Sequence, residues 1–188
     1  MKNLRQWFEK GMNAYEYIHS MEKHKENLLY VYNQTKLTEE EQKFLQGLQT
    51  KQLKAIILTA DWCGDAMVNV PIFLRLAQEA MLETRYLIRD ENLELMDQYL
   101  TNGKSRSIPI FIFLDKDHNE IGKWGPRAPE VQKLVDELRA DMPAKEDPGY
   151  DEAFKKFVEQ LLFRFLNDSE LRKIIKEDLL NKLKEITA

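Results

Sequence analysis

The sequence predicts an α/β fold: a mixed sheet flanked by helices, with additional helices at both ends. Between about Lys51 and Ala140, short apolar runs of strand length alternate with helix-period segments in the order β-α-β-α-β-β-α. On either side of that region, apolar residues recur at steps of three and four, the spacing that keeps side chains on one helix face. Seven glycines and six prolines in 188 residues are few. Average usage of the two together is about 12%, so the scarcity favours long helices over a turn-rich all-β fold.

The elements follow in order. Phe8, Met12, Tyr15 and Ile18 step by three or four, which predicts an N-terminal helix with a break or bend at Gly11. Thr38 followed by Glu41 is a capping-box signature and opens a helix over Glu39 to Leu48. Leu53 to Thr59 (LKAIILT) reads as a strand. From Gly64 to Met81 the apolar residues Met67, Val70, Leu74, Ala77 and Met81 keep helical spacing. Thr84 to Ile88 is a second strand, and Asn92 to Tyr99 a helix. Pro109–Leu114 and Glu120–Trp124, separated by the turn residues KDHN, form a hairpin signal. Val131 to Leu138 closes the region as a helix.

Met142 to Tyr150 (MPAKEDPGY) has linker composition. Beyond it Phe154, Phe157, Val158, Leu161, Leu162, Phe165 and Leu166 line one face of an amphipathic helix. Asp168 is placed to cap another, with Leu171, Ile174, Ile175, Leu179 and Leu183 as its apolar face. The expected organisation is an N-terminal helical extension over 1–50, a domain over 51–141 and a C-terminal helical extension over 150–188. The last packs on the same domain or across a homodimer.

Composition excludes several classes of function. The formal charge of −4 offers no basic stripe for nucleic acid. No run reaches the roughly 18 apolar residues of a membrane span, and the first ten residues, MKNLRQWFEK, lack the pattern of a signal peptide. The expectation is a cytoplasmic protein without nucleic-acid or membrane partners. The single cysteine excludes an intramolecular disulfide and a multi-cysteine metal cage. His19, His24 and His118 show no ligand spacing, so no metal site is expected.

That cysteine sits in Thr59–Ala66, TADWCGDA, where a strand ends and a helix begins. Cys63 there faces unpaired backbone N–H groups and the positive end of the helix dipole, which favour the thiolate. Asp61 and Asp65 oppose this by adding negative charge on either side. Asp65 is placed either to act as acid/base near Cys63 or simply to complement the helix dipole.

These residues resemble the thioredoxin superfamily. Trp62–Cys63–Gly64–Asp65–Ala66, between strand and helix, looks like the thioredoxin turn Trp-Cys-Gly-Pro-Cys. Pro71 lies eight residues after Cys63, where thioredoxins carry a helix-kinking proline. Ile108–Pro109 matches the family's cis-proline beside the active site, and Gly122 and Gly125 fall near the expected end of the last strand. The resemblance covers about Lys51 to Ala140 and implies a thioredoxin-like fold.

It departs from the family at three positions. Ala66 stands where the resolving cysteine would be, Asp65 replaces the usual proline, and Ile57 occupies the place of the buried aspartate that assists proton transfer. What the resemblance then implies is thiol–disulfide exchange through Cys63 alone. A mixed disulfide would be resolved by a low-molecular-weight thiol acting as co-substrate, with no bound cofactor. Trp62, Gly64, Asp65, Ala66, Ile108 and Pro109 would shape the groove, and the partner would be a protein thiol or disulfide or a small-thiol mixed disulfide. Lys104, Arg106 and, more weakly, Arg127 would supply positive charge for an anionic thiol; the alternative for all three is a solvated loop cation. Two other readings stay open: a redox-inactive thioredoxin-fold interaction module using the same groove, and a sensor that traps Cys63 in a disulfide.

Overall fold

The computed structural model describes residues 2–188. β1 (Lys54–Thr59), β2 (Glu83–Ile88), β3 (Ile110–Leu114) and β4 (Glu120–Trp124) form one sheet in the order β2-β1-β3-β4. β1 pairs parallel with β2 and antiparallel with β3, and β4 completes an antiparallel hairpin. The register sets Ile57 opposite both Tyr86 and Phe111. Every residue of β3, and all of β1 after Lys54, is buried. Such continuous burial belongs to central strands covered on both faces. The predicted order of elements between Lys51 and Ala140 is the order found.

α5 (Gly64–Glu79) is the hub. Its residues 65–74 are all buried, as are Leu76 and Ala77, and Pro71 lies inside it. Phe73 meets Phe111 and Phe113 of the sheet at ring-centroid distances of 4.7 and 5.7 Å. Around α5 stand α3 (Lys25–Gln34), α4 (Glu39–Leu48), α8 (Tyr150–Asn167) and α9 (Ser169–Thr187). α9 also reaches β4, where Ile186 fills the space a side chain at Gly122 would need. α7 (Pro129–Arg139) contacts α8 and α9, and α6 is the single turn Leu93–Met96.

Caps fix several boundaries as expected. Thr38 and Glu41 form the reciprocal capping box of α4, and Asp168 accepts from the Leu171 amide at 3.0 Å to open α9. Other expectations are corrected. The N-terminal helix is two helices, α1 (Arg5–Lys10) and α2 (Ala14–Ser20). Tyr15 is 76% exposed, and Tyr17 is the buried residue, stacked on Tyr86 and hydrogen-bonded to Thr59. The break at Gly11 re-phases the helix, so periodicity carried across it selects the wrong tyrosine. α3 was not anticipated, because only Leu28 and Val31 of its ten residues are buried and its apolar pattern is weak. α5 stops at Glu79, leaving Met81 exposed at a positive φ of 50°.

Gly11 has a further reason to be glycine. Met12 forms a two-way backbone bridge with Tyr86, adding a rung to the free edge of β2. A Cβ on Gly11 would stand 2.7 Å from Arg85 Cβ and 3.3 Å from the Tyr86 nitrogen. Gly11→Ala should therefore destabilise by about 1–3 kcal/mol, the usual cost of an overpacked contact. Gly47→Ala, in α4 with nothing within 4 Å of its Cβ, should stabilise by roughly 0.5–1 kcal/mol. Urea unfolding of both variants checks this, and shifts of the same sign would refute it.

Candidate functional site

Cys63 is the N-cap of α5, with an extended backbone at φ −85° and ψ 120°. Its Sγ accepts from the Ala66 amide at 3.4 Å, which satisfies one of the orphan donors of the first turn. The same sulfur donates to the Ile108 carbonyl at 3.5 Å. Ile108 precedes Pro109 through a cis peptide bond, and Gly125–Pro126 is also cis. Gly125, at φ +121°, lies so close to the Pro109 carbonyl that no side chain fits there. The structure thus brings together Cys63, Gly64, Asp65, Ala66, Ile108 and Pro109.

Asp65 is buried and forked by Arg127, whose Nε and one terminal nitrogen reach its two oxygens at 2.7 and 2.6 Å. Gln132 accepts a further bond from Arg127. Burial pushes the Asp65 carboxyl above its ordinary range, against the downward pull of the Arg127 guanidinium. Arg127 is accordingly committed to Asp65 and is not a loose loop cation. Asp61 turns away, accepting from the Glu22 and Lys23 amides at 2.9 and 3.0 Å.

Burial, and next the Asp65 charge, push the Cys63 thiol up to about 11; the Ala66 and Asp65 amides and Arg127 oppose them. The favourable helix terminus loses to desolvation. Ile57 is fully buried, so no acid lies beneath the thiol at that position.

α8 lies across this turn. Leu162 Cδ2 would stand 3.2 Å from a Cβ on Gly64, and Phe157 and Leu161 are buried nearby. A cavity of about 440 Å³ remains between the turn, Ile108 and α8. Trp62, 43% exposed, stands at its rim with the Arg89 guanidinium 4.7 Å from its ring. Arg139 also lines it, 4.6 Å over the Phe157 ring.

Of the cations anticipated from sequence, only Arg127 reaches the site. Arg106 is paired with Asp97, and Lys104 is exposed and does not line the cavity. Arg89 and Arg139 were missed. Arg89 follows directly on β2, the strand beside β1, and that position was the one available signal. The three histidines lie outside the cavity. Among the described residues no group of three or more His, Cys, Asp or Glu side chains is placed to hold a metal. Nor is any helix among them long and apolar enough to cross a membrane.

A family model described as thioredoxin matches residues 11–139. The chain belongs to this thioredoxin family. The match includes most of the N-terminal helices, beyond the stretch that carries the sequence resemblance. No curated protein matches. Among solved structures, the chain is similar to a protein of unknown function, PA1234, from Pseudomonas aeruginosa. The TM-score is 0.62 at 15% identity, over 94% of this chain and 99% of that one. It is likewise similar to an HIV epitope-scaffold, with a TM-score of 0.67 at 14% identity over 98% and 99% of the two chains. At such identity the likeness is one of fold, and it extends over the terminal helices.

Two measurements test these electrostatics. Native Cys63 should alkylate with a midpoint near pH 11, against about 8.5 after unfolding. Asp65→Asn should lower the native midpoint by removing the nearest negative charge. Because the folded value is the higher one, neutral Cys63 stabilises the fold fully below the unfolded value. That contribution disappears as pH rises toward 11. Between pH 8 and 11 the wild type should lose more stability than Cys63→Ala. Arg127→Met, which strands a buried carboxylate, should cost roughly 3–5 kcal/mol in urea unfolding.

Proposed function

We propose that this protein is a redox-quiet binding module of the thioredoxin fold, holding Cys63 as a resting thiol beneath α8. The carrying observation is the sulfur itself: buried at the head of α5 and donating to the Ile108 carbonyl. That donation requires the proton. A thiolate would have none to give and would face the lone pairs of the carbonyl oxygen.

Rate arithmetic supports the same reading. Raising a thiol from about 8.5 to about 11 lowers the thiolate fraction at neutral pH roughly 300-fold. Its greater nucleophilicity recovers roughly 13-fold. The net is an attack roughly 25-fold slower than that of an ordinary cysteine. Ala66 and Ile57, where the resemblance expects a second thiol and a buried acid, agree with this. The cavity left beside α8 is of small-molecule size.

A second reading, exchange through Cys63 alone, is favoured by the Ala66 amide pointing at Sγ. In that reaction the Cys63 thiolate attacks one sulfur of R–S–S–R′, forming Cys63–S–S–R and releasing R′–S⁻. A low-molecular-weight thiolate, R″–S⁻, then attacks the mixed disulfide, freeing the Cys63 thiolate and leaving R–S–S–R″. Reduction of a peptide–glutathione mixed disulfide, with glutathione as second substrate, separates the two. Wild type and Cys63→Ser should both stay at the uncatalysed rate. A wild-type rate tenfold above that of Cys63→Ser would sink the binding-module reading and establish exchange.

A further inference from the structure

The cavity beside Cys63 combines features that together specify a ligand, and the inference rests on the binding-module reading above. One wall is apolar: Phe154, 39% exposed, and Phe157 and Leu162 of α8 face it. The other walls carry an excess of positive charge on a chain that is net negative. Three arginines line the cavity, with Asp65 as the sole lining acid. Arg127 is neutralised by its fork to Asp65. Arg89 is paired with Asp90 at the edge and stands over the Trp62 ring. Arg139 has no carboxylate within 4.0 Å among the described residues. Its guanidinium rests on Phe157, so its charge stands next to the apolar wall.

We infer that this cavity binds a small amphiphilic monoanion, an apolar body carrying one carboxylate, with the body against α8 and Trp62 and the carboxylate on Arg139. Counting the two carboxylates at or beside the cavity against the three guanidiniums leaves one positive charge, which a single carboxylate balances. Guanidinium suits that head because it presents paired N–H donors matched to a carboxylate. About 440 Å³ accommodates a two-ring aromatic acid or a short-chain acyl acid. Cys63 contributes surface and no covalent step.

The test is calorimetric titration of the full-length protein with 2-naphthoate and with its neutral isostere 2-naphthamide. Wild type should bind naphthoate one-to-one and about 3–10-fold more tightly than naphthamide, the range a partly exposed charge-assisted hydrogen bond supplies. Arg139→Gln should remove that preference while leaving naphthamide binding unchanged; its thermal unfolding should match wild type, since Arg139 is an exposed side chain in the last turn of α7. Leu162→Ala should weaken both compounds. Equal affinity for acid and amide, a preference that survives Arg139→Gln, or no saturable binding at 2 mM would each overturn the inference. None of these bears on the disulfide-reduction assay, so the ligand assignment and the redox-quiet reading fail separately.

Discussion

The ion pair between Asp65 and Arg127 joins two places 62 residues apart in the chain, the first turn of α5 and the loop after β4. Both partners are largely withdrawn from water, so the pair persists only because it is bidentate and further hydrogen-bonded through Gln132. One helical turn on, Asn69 donates to the Pro126 carbonyl and fastens the same two elements again. This double tie holds the cis-proline segments against the N-terminus of α5. It also decides the electrostatics of the site. A fixed carboxylate near Cys63 adds to desolvation in favouring the neutral thiol, and Arg127 is spent on that carboxylate. The cavity's cation without a carboxylate partner is therefore Arg139.

α8 turns that geometry into a restriction on chemistry. In a fold of this family the helix-opening cysteine is useful when a disulfide can approach along the groove beside the cis-proline. Here Leu162 packs on Gly64, and α8 forms one wall of the cavity beside the turn. The sulfur completes its hydrogen bonding inside the protein, accepting from Ala66 and donating to Ile108. A thiol so held and raised by burial fits the redox-quiet reading proposed above. The absence of a second cysteine and of a buried acid then reads as consistent with the local physics.

The sequence discloses what depends on nearest neighbours along the chain. Strands of uniform apolar character, the Thr38 capping box, the Asp168 cap and the α8 stripe are local patterns, and each appears where the spacing puts it. The turn around Cys63 and the cis-proline were legible because their spacing resembles a known family. What was not legible depends on assembly. Tyr17 rather than Tyr15 is buried because the break at Gly11 shifts the phase. α3 shows too few core positions to carry a period. Arg89 and Arg139 are 50 residues apart, and only folding brings both to one cavity. The same holds for α8, whose apolar face announces that it packs but not on what.

The terminal segments are part of the sheet's own stability. A four-stranded sheet leaves β2 and β4 as edges, and unpaired edges invite association. The first dozen residues address both. The Leu4 amide donates to His118, and Glu120 at the start of β4 donates to Lys2, while Met12 bridges Tyr86 on β2. α1 crosses between these points, with Phe8 seated against His118 and under the Arg85 guanidinium. At the other end of the chain, α9 fills the space over Gly122, with Ile186 occupying what a side chain there would take. A minimal domain cut at Lys51 and Ala140 would therefore expose both strand edges, uncover part of the face of β4 and open the cavity beside Cys63. The likeness of fold to structures 14–15% identical spans 94–98% of this chain, the added helices included.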